Sequence, residues 1–250
     1  MQGRKPLLIA AFLTWNAGFV DAVGFVSLGH IYTANMSGNS IAVGIQSASQ
    51  DWPETIRRFW PVLLYVVGLL FCRLLIEFGA RERIRSIAAV SFLCEIVLLL
   101  PVFLSPVASP PTLLAFGFVA LLAAAMGVQN AAVTHFSTIT LHTGFVTGTL
   151  VKFAEYGAKY LGWLFDQTRL PGHSLLGVLQ ASARQEHFRL TLYLGGIWIC
   201  YVAGASCGAL GDHSFQFKSL VVPIAGLALL TVLDLYAPFA QREEEIPKRQ

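Results

Sequence analysis

Charged residues are scarce in this chain: only 12% of its 250 residues are Asp, Glu, Lys or Arg. Soluble domains carry about 25%, so a water-soluble fold of this length would lack the polar surface that it needs. Hydrophobic residues make up 55% of the chain, and the mean hydropathy is +0.63. The composition excludes a cytosolic enzyme, a nucleic-acid binder and a disordered scaffold. It predicts an integral membrane protein whose main partner is the lipid bilayer.

Cysteine is rare too, and its spacing fits neither a metal site nor a redox pair. The four cysteines lie in apolar runs, at Cys72, Cys94, Cys200 and Cys207, where cysteine acts as a small hydrophobic residue. There is no H-E-x-x-H, P-loop or dinucleotide motif, and the net charge of +3 is too small to indicate a polyanion partner. We therefore expect no enzyme activity, no cofactor, no metal and no nucleic acid.

Long apolar runs are what the chain has in abundance. A membrane helix needs about 20 mostly apolar residues. Six stretches satisfy this requirement: 7–28, 60–80, 86–107, 112–133, 190–210 and 220–239. Two weaker stretches, 33–48 and 143–165, contain polar side chains such as Asn35, Lys152 and Glu155. Each weak stretch either crosses the membrane while shielded by its neighbours or enters the membrane and returns.

The distribution of positive charge favours six full crossings with both termini in the cytoplasm. In that topology the cluster Arg81, Arg83 and Arg85 lies inside, and the outer loops carry only Arg57, Arg58 and Lys218. We expect a multi-pass protein of the inner (plasma) membrane. The polar connection 166–189 should be cytoplasmic and include a short surface helix, and the tail 241–250 should be solvated and mobile.

The two halves of the chain resemble each other. We predict one all-α membrane domain, 1–250, made of a first repeat at about 7–107 and a second at about 112–239. Residues 33–39 align with 143–149, and residues 18–22 align with 127–131, which pairs Asp21 with Asn130. Three crossings in each half would place the halves in opposite orientations, an arrangement typical of secondary transporters. Chance similarity between glycine-rich helices is the alternative.

A third matching block supports the repeat. Tyr65, Gly68 and Cys72 recur at the same spacing as Tyr193, Gly196 and Cys200.

Asp21 is the central candidate for a site because it lies in the middle of the first span. An ionised carboxylate at that depth costs on the order of 2.5–3.5 kcal/mol, so its side chain should face the interior. It either binds a substrate or proton or braces the backbone of a broken helix, and the sequence leaves both readings open. Glu95, in the third span, is predicted to have a structural role beside Arg73 or solvent.

The two aligned weak blocks complete the candidate site. Ser37 and Thr147 suit helix N-caps, and Gly38 and Gly148 allow close approach of a backbone or ligand. Helix N-termini inside the membrane attract anions, although helix packing through small residues would explain the same glycines. The candidate substrate-binding residues are Asp21, Asn35, Ser37, Gly38, Asn39, Gln129, Asn130, Thr143, Thr147, Gly148 and Thr149.

The same blocks carry a family resemblance. The segments GFVDAVGF at 18–25, MSGN at 36–39, GVQNA at 127–131 and VTGTL at 146–150 resemble the YoaK-like family, small bacterial integral membrane proteins with a domain of unknown function. The resemblance implies a bacterial multi-pass membrane protein and supplies no substrate.

The residues themselves predict a small secondary transporter of a small anion or weak acid. Its site would lie between the two blocks, with Ser37 and Thr147 close to Asp21 and with proton coupling through Asp21. The alternative is a non-transporting membrane sensor, chaperone or assembly module. The sequence leaves open whether the protein forms a homo-oligomer.

Overall fold

The computed structural model describes residues 4–82, 84–107, 110–136, 146–169 and 175–239, and in this part of the chain all regular structure is helical. The helices are α1 (Arg4–Ser27), α2 (Met36–Ala48), α3 (Trp52–Arg81), α4 (Ile87–Leu104), α5 (Thr112–Phe136), α6 (Val146–Arg169), α7 (Leu175–Ser182), α8 (Glu186–Phe215) and α9 (Val221–Tyr236). The expectations for Thr143 and for the tail 241–250 fall outside the described residues.

The predicted all-helical membrane fold is confirmed. Five segments are long and apolar enough to cross a membrane: Leu7–Ser27, Trp52–Arg81, Ile87–Leu104, Thr112–Thr134 and Glu186–Tyr236. The last segment has 51 residues, far more than the roughly 20 needed for one crossing. It contains both α8 and α9, because Gln216 has a φ of +51° and starts a 3-10 turn between them.

Capping residues define the start of helix α3. The Asp51 side chain accepts a hydrogen bond from the backbone N–H of Glu54, and Pro53 lies in the first turn, where its missing N–H costs nothing. Arg57 and Arg58 in the next turn both pair with Glu54. The start of α3 is therefore a rigid, charged end.

This charged end also binds the loop that follows α1. The guanidinium of Arg57 donates to the carbonyl oxygen of Gly29 at 3.3 Å, and that of Arg58 donates to the carbonyl oxygen of His30. The C-terminal end of α1 and the N-terminal end of α3 therefore lie at the same side of the bundle, so α1 and α3 run in opposite directions.

Helices α1 and α8 are packed in parallel. The glycines of α8 lie on the backbone of α1 in the same order along both helices: Gly204 against Trp15 and Gly208 against Phe19. Nearer the ends of both helices, Ser27 donates to both carboxylate oxygens of Asp212, at 2.9 and 2.7 Å. The contact therefore runs along most of both helices.

Helices α3 and α5 form a second parallel pair. The indole of Trp60 donates to the carbonyl oxygen of Phe116 at 3.2 Å, and Gly68 lies on the backbone of Ala124 further along. The two pairs are antiparallel to each other, because the end of α1, at Ser27, and the start of α5, at Thr112, line the same cavity. Further along, Gln129 of α5 donates to the carbonyl oxygen of Leu13 in α1 at 2.8 Å.

Candidate functional site

Asp21 is buried, and both of its carboxylate oxygens accept hydrogen bonds in the described structure. Its Oδ1 accepts the backbone N–H groups of Thr33 at 2.6 Å and Ala34 at 2.7 Å. Its Oδ2 accepts the phenolic O–H of Tyr201 at 2.7 Å. The side chain is 4% exposed. The sequence left open whether Asp21 binds a substrate or proton or holds the backbone of a broken helix. These contacts are of the second kind.

The hydrogen bonds of Asp21 hold the loop after α1 inside the bundle. Asp21 precedes the end of α1 at Ser27 by six residues, about 9 Å along a helix, so the backbone of Thr33 and Ala34 returns to that depth. Helix α2 starts there, at Met36, and ends at Ala48, shortly before α3 begins. The chain thus enters as a loop and leaves as a short helix on the side where it entered.

Asn39 fixes the same loop from α2. This buried side chain accepts the backbone N–H of Tyr32 at 3.2 Å and donates to the carbonyl oxygen of Tyr32 at 2.7 Å. Gly38 lies under the ring of Tyr32, where an added Cβ would come within 2.8 Å of a ring carbon. Both residues therefore hold the loop in place.

The two predicted N-cap hydroxyls do not cap. Asn35 occupies the N-cap of α2 and makes no side-chain capping bond, while Ser37 lies inside the first turn and donates to the Asn35 side chain at 2.7 Å. Thr147 likewise lies inside α6, which begins at Val146. Ser37 and Thr147 are exposed, whereas Asp21 is buried. Neither hydroxyl therefore shares the burial of Asp21.

The remaining described candidates of the second half lie on α5 and α6. Thr149 is buried and Gly148 is half-buried on α6, while Thr143 lies outside the described residues. Asn130 is buried and donates to the phenolic oxygen of Tyr65 at 2.7 Å. Gln129, beside it, faces the core.

Asn130 and Tyr65 reproduce the geometry of Asp21 and Tyr201. A Cβ on Gly18 would lie 2.2 Å from the carbonyl oxygen of Tyr201, and a Cβ on Gly127 would lie 2.2 Å from that of Tyr65. Asp21 follows Gly18 by three residues, as Asn130 follows Gly127. One G-x-x-[D/N] segment therefore meets one tyrosine in each helix pair.

These contacts assign a different partner to the Tyr65 segment than the sequence match did. The tyrosine equivalent to Tyr65 by contact is Tyr201, and the segments YVVG at 65–68 and YVAG at 201–204 are nearly identical. By its contacts, Tyr65 therefore corresponds to Tyr201 rather than to Tyr193. The spacing to Gly196 is the same, but Gly196 has no atom within 4 Å of an added Cβ, so it lacks the close backbone contact of Gly68.

A second polar cluster lies in the core at the crossing of α1, α4 and α5. The amide of Asn16 donates to Glu95 Oε1 at 2.9 Å and to Gln129 Oε1 at 2.6 Å. All three side chains have no exposed area. Two buried oxygens of the cluster, Asn16 Oδ1 and Glu95 Oε2, have no hydrogen-bond partner in the part of the chain that the structure describes.

The predicted position of Glu95 beside Arg73 or solvent is wrong. Arg73 is exposed and donates to the hydroxyl of Thr134, whereas Glu95 pairs with Asn16 in the core. A signal was present in the sequence, because Glu95 is the one charged residue of α4, and ionisable groups inside spans usually face the interior and have functions.

Ser206 lies in a G-x-S-x-G pattern, Gly204 to Gly208, that resembles the nucleophile elbow of hydrolases. That motif requires a sharp turn between a strand and a helix. Here Ser206 is in the middle of α8 and its hydroxyl donates to the carbonyl oxygen of Val202 at 2.9 Å. The glycines of the pattern serve the packing of α8 on α1.

Comparisons with known proteins agree with the membrane fold. A family model described as "Protein of unknown function (DUF1275)" matches residues 9–233. The UPF0700 transmembrane protein YoaK of Bacillus subtilis (strain 168) is 25% identical over 228 residues, which cover 88% of this chain and 89% of the relative. No solved structure matches the chain. The chain is a membrane protein that belongs to the DUF1275 family.

Proposed function

We propose that the protein is a small secondary transporter, built from two inverted halves, that moves a small anion or weak acid. It is a transporter rather than an enzyme, and it acts in the bacterial inner membrane with both termini in the cytoplasm.

The observation that carries this proposal is the mirrored pair of contacts. Asp21 meets Tyr201 where α1 packs on α8, and Asn130 meets Tyr65 where α5 packs on α3. The two helix pairs run in opposite directions, and each contains one helix from each half. This arrangement supports inverted repeats, in which rocking of interlocked halves exposes a central site alternately to the two sides.

The looped entry of α2 supports six full crossings. If α2 returns to the side from which its loop entered, then α1, α3, α4, α5, α8 and α9 cross, and α6 is the counterpart of α2. The ends of the helices agree with this topology: Arg57 contacts Gly29 at one side, and Lys218 donates to the carbonyl oxygen of Phe103 at 2.8 Å. These outer-loop cations lie at the ends of α1 and α4 that six crossings place outside.

The chemistry of α2 favours an anionic substrate. Its N-terminus lies at the depth of Asp21 and carries no side-chain cap, so its positive dipole end is available. A cavity of about 220 Å³ opens between the end of α1 and the start of α5, and Arg57 is the charged residue that lines it. An anion that enters this cavity would meet the Arg57 cation.

Flux measurements in proteoliposomes test the proposal. Purified protein is reconstituted and assayed with chloride, nitrate, acetate and formate, and with sodium and potassium, each with and without a pH gradient. We expect saturable uptake of at least one anion or weak acid above the level of protein-free liposomes. Monodisperse protein that moves no member of the panel under any gradient would overturn the proposal and favour the non-transporting module.

Labelling of single cysteines tests the topology. Arg85→Cys and Lys218→Cys are introduced separately into a variant without the four native cysteines, since both side chains are exposed. In intact cells, a membrane-impermeant maleimide should label Lys218→Cys and should reach Arg85→Cys only after the cells are opened. Labelling of both positions from outside would contradict six crossings.

A further inference from the structure

We propose that Glu95 is the proton-binding carboxyl of this protein, with Asn16 and Gln129 as its polar partners. The role in coupling rests on the transport proposal. The binding of the proton does not, and it is tested separately below.

Glu95 differs from the other buried carboxylates in the described part of the chain. Both oxygens of Asp21 accept hydrogen bonds, both oxygens of Asp212 accept from Ser27, and both oxygens of Asp234 accept from backbone N–H groups. Glu95 accepts at Oε1 alone, and its Oε2 is buried without a partner. A buried acceptor without a partner costs about 1–3 kcal/mol, and more when charged, so the fold leaves one position on Glu95 to be filled.

The fold does not require a polar cluster at this place. Asn16 precedes Gly18 by two residues, and the residue two before Gly127 is Ala125. Gln129 follows Gly127 by two residues, and the residue two after Gly18 is Val20. At these two equivalent positions the chain has Ala125 and Val20, both buried, where the cluster has amides. Apolar side chains therefore fit buried positions equivalent to those of Asn16 and Gln129, so burial alone does not explain the amides.

A proton fits this site better than a metal cation. Calcium takes about 6–8 oxygen ligands and magnesium an octahedral set, whereas the cluster offers two unpartnered oxygens, Glu95 Oε2 and Asn16 Oδ1. A single proton on Oε2 removes the charge and turns that oxygen into a donor. Oε1 remains the acceptor for the Asn16 amide.

Among the described residues, the groups around Glu95 provide no compensating cation. From α3, the Cys72 thiol is at 3.5 Å from Ser91 Oγ, and Arg73 is exposed at Thr134. Cys94 is its neighbour on α4, Asp21 lies further along α1, and Asp234 of α9 is bonded to the backbone near the start of α4. The α5 side chain of the cluster is the neutral amide of Gln129, which accepts from Asn16. A proton is therefore the available means of neutralising this carboxylate.

The location suits coupling between the halves. Asn16 and Glu95 belong to the first half and Gln129 to the second, and the Asn16 amide bridges them where α1 crosses the antiparallel α5. A charge that appears or disappears on Glu95 acts directly on this contact. This assigns proton coupling to Glu95, since both oxygens of Asp21 already accept hydrogen bonds.

Infrared difference spectroscopy of the protein in lipid nanodiscs tests proton binding directly, with the proton itself as the probe. Between about pH 6, where exposed carboxyl groups are already ionised, and alkaline pH we expect the loss of a carboxylic C=O band. Glu95→Gln should abolish the band, and Asp234→Asn, which replaces a buried carboxylate with both oxygens bonded, should retain it. A band that persists in folded Glu95→Gln would overturn the proposal.

Isotope labelling keeps the test valid if Glu95→Gln does not fold. The other buried carboxylates in the described part of the chain are aspartates, so the band of the unmutated protein should shift when ¹³C-labelled glutamate is incorporated and stay in place with ¹³C-labelled aspartate. The opposite result would assign the proton to an aspartate. If the protein shows no flux but does show a glutamate band, the transport proposal is overturned and the proton site is still supported.

Discussion

Asp21→Leu is expected to abolish the fold. The change leaves two backbone N–H groups, of Thr33 and Ala34, and the hydroxyl of Tyr201 without their acceptor. Each orphaned buried group costs about 1–3 kcal/mol, and the sum approaches the total stability of about 5–15 kcal/mol of a typical protein. Size-exclusion chromatography of the detergent-solubilised protein should show aggregate instead of a monodisperse peak.

The matched variant Asp21→Asn is expected to fold. Its Oδ1 would still accept both N–H groups, and its amide would donate to Tyr201, the bond that Asn130 already makes to Tyr65. The thermal midpoint should fall by a few degrees at most. Aggregation of Asp21→Asn to the same extent as Asp21→Leu would show that the negative charge, rather than the hydrogen-bond geometry, holds the loop.

Gly204→Ala should disrupt the packing of α8 on α1. The added Cβ would lie 1.9 Å from the carbonyl oxygen of Trp15, and the obstacle is backbone, which has no rotamer to change. Overpacking of a core typically costs about 1–3 kcal/mol, and a forced separation of two helices along their length should cost at least the upper value. The thermal midpoint in detergent should drop strongly.

Gly196→Ala is the control on the same helix. No atom lies within 4 Å of its added Cβ, and alanine is favoured over glycine in a helix by about 1 kcal/mol. The thermal midpoint should stay constant or rise. Equal loss in both variants would mean that helix flexibility, and not close contact, explains the glycines of α8.

The sequence predicted the membrane fold well because apolar length is a local property. All six strong stretches became helices, and a helix of about 20 apolar residues buries its polar backbone whatever its neighbours are. The pairing of Asp21 with Asn130 was also visible, since both lie three residues after a glycine. In the structure Asp21 and Asn130 each form a hydrogen bond with a tyrosine, which agrees with this pairing.

The sequence could not predict which turn of one helix meets which turn of another. Tyr193 and Tyr201 both precede a glycine by three residues, and only the approach of α8 to α1 selects Tyr201. Ser37 has the chemistry of a cap, but the bond from Asp21 to the Thr33 and Ala34 backbone sets where α2 begins.

Composition alone thus determined that this chain is a membrane protein, because so few charged residues cannot cover the surface of a water-soluble fold. The tertiary structure decided the roles of the carboxylates. Asp21 and Glu95 are both lone acids in apolar helices, and their sequences do not distinguish them. The backbone of a returning loop occupies one carboxylate, and the crossing of α1, α4 and α5 leaves an oxygen of the other unpartnered. Hydrogen bonding between distant segments depends on how helices are placed in space, which no local pattern encodes.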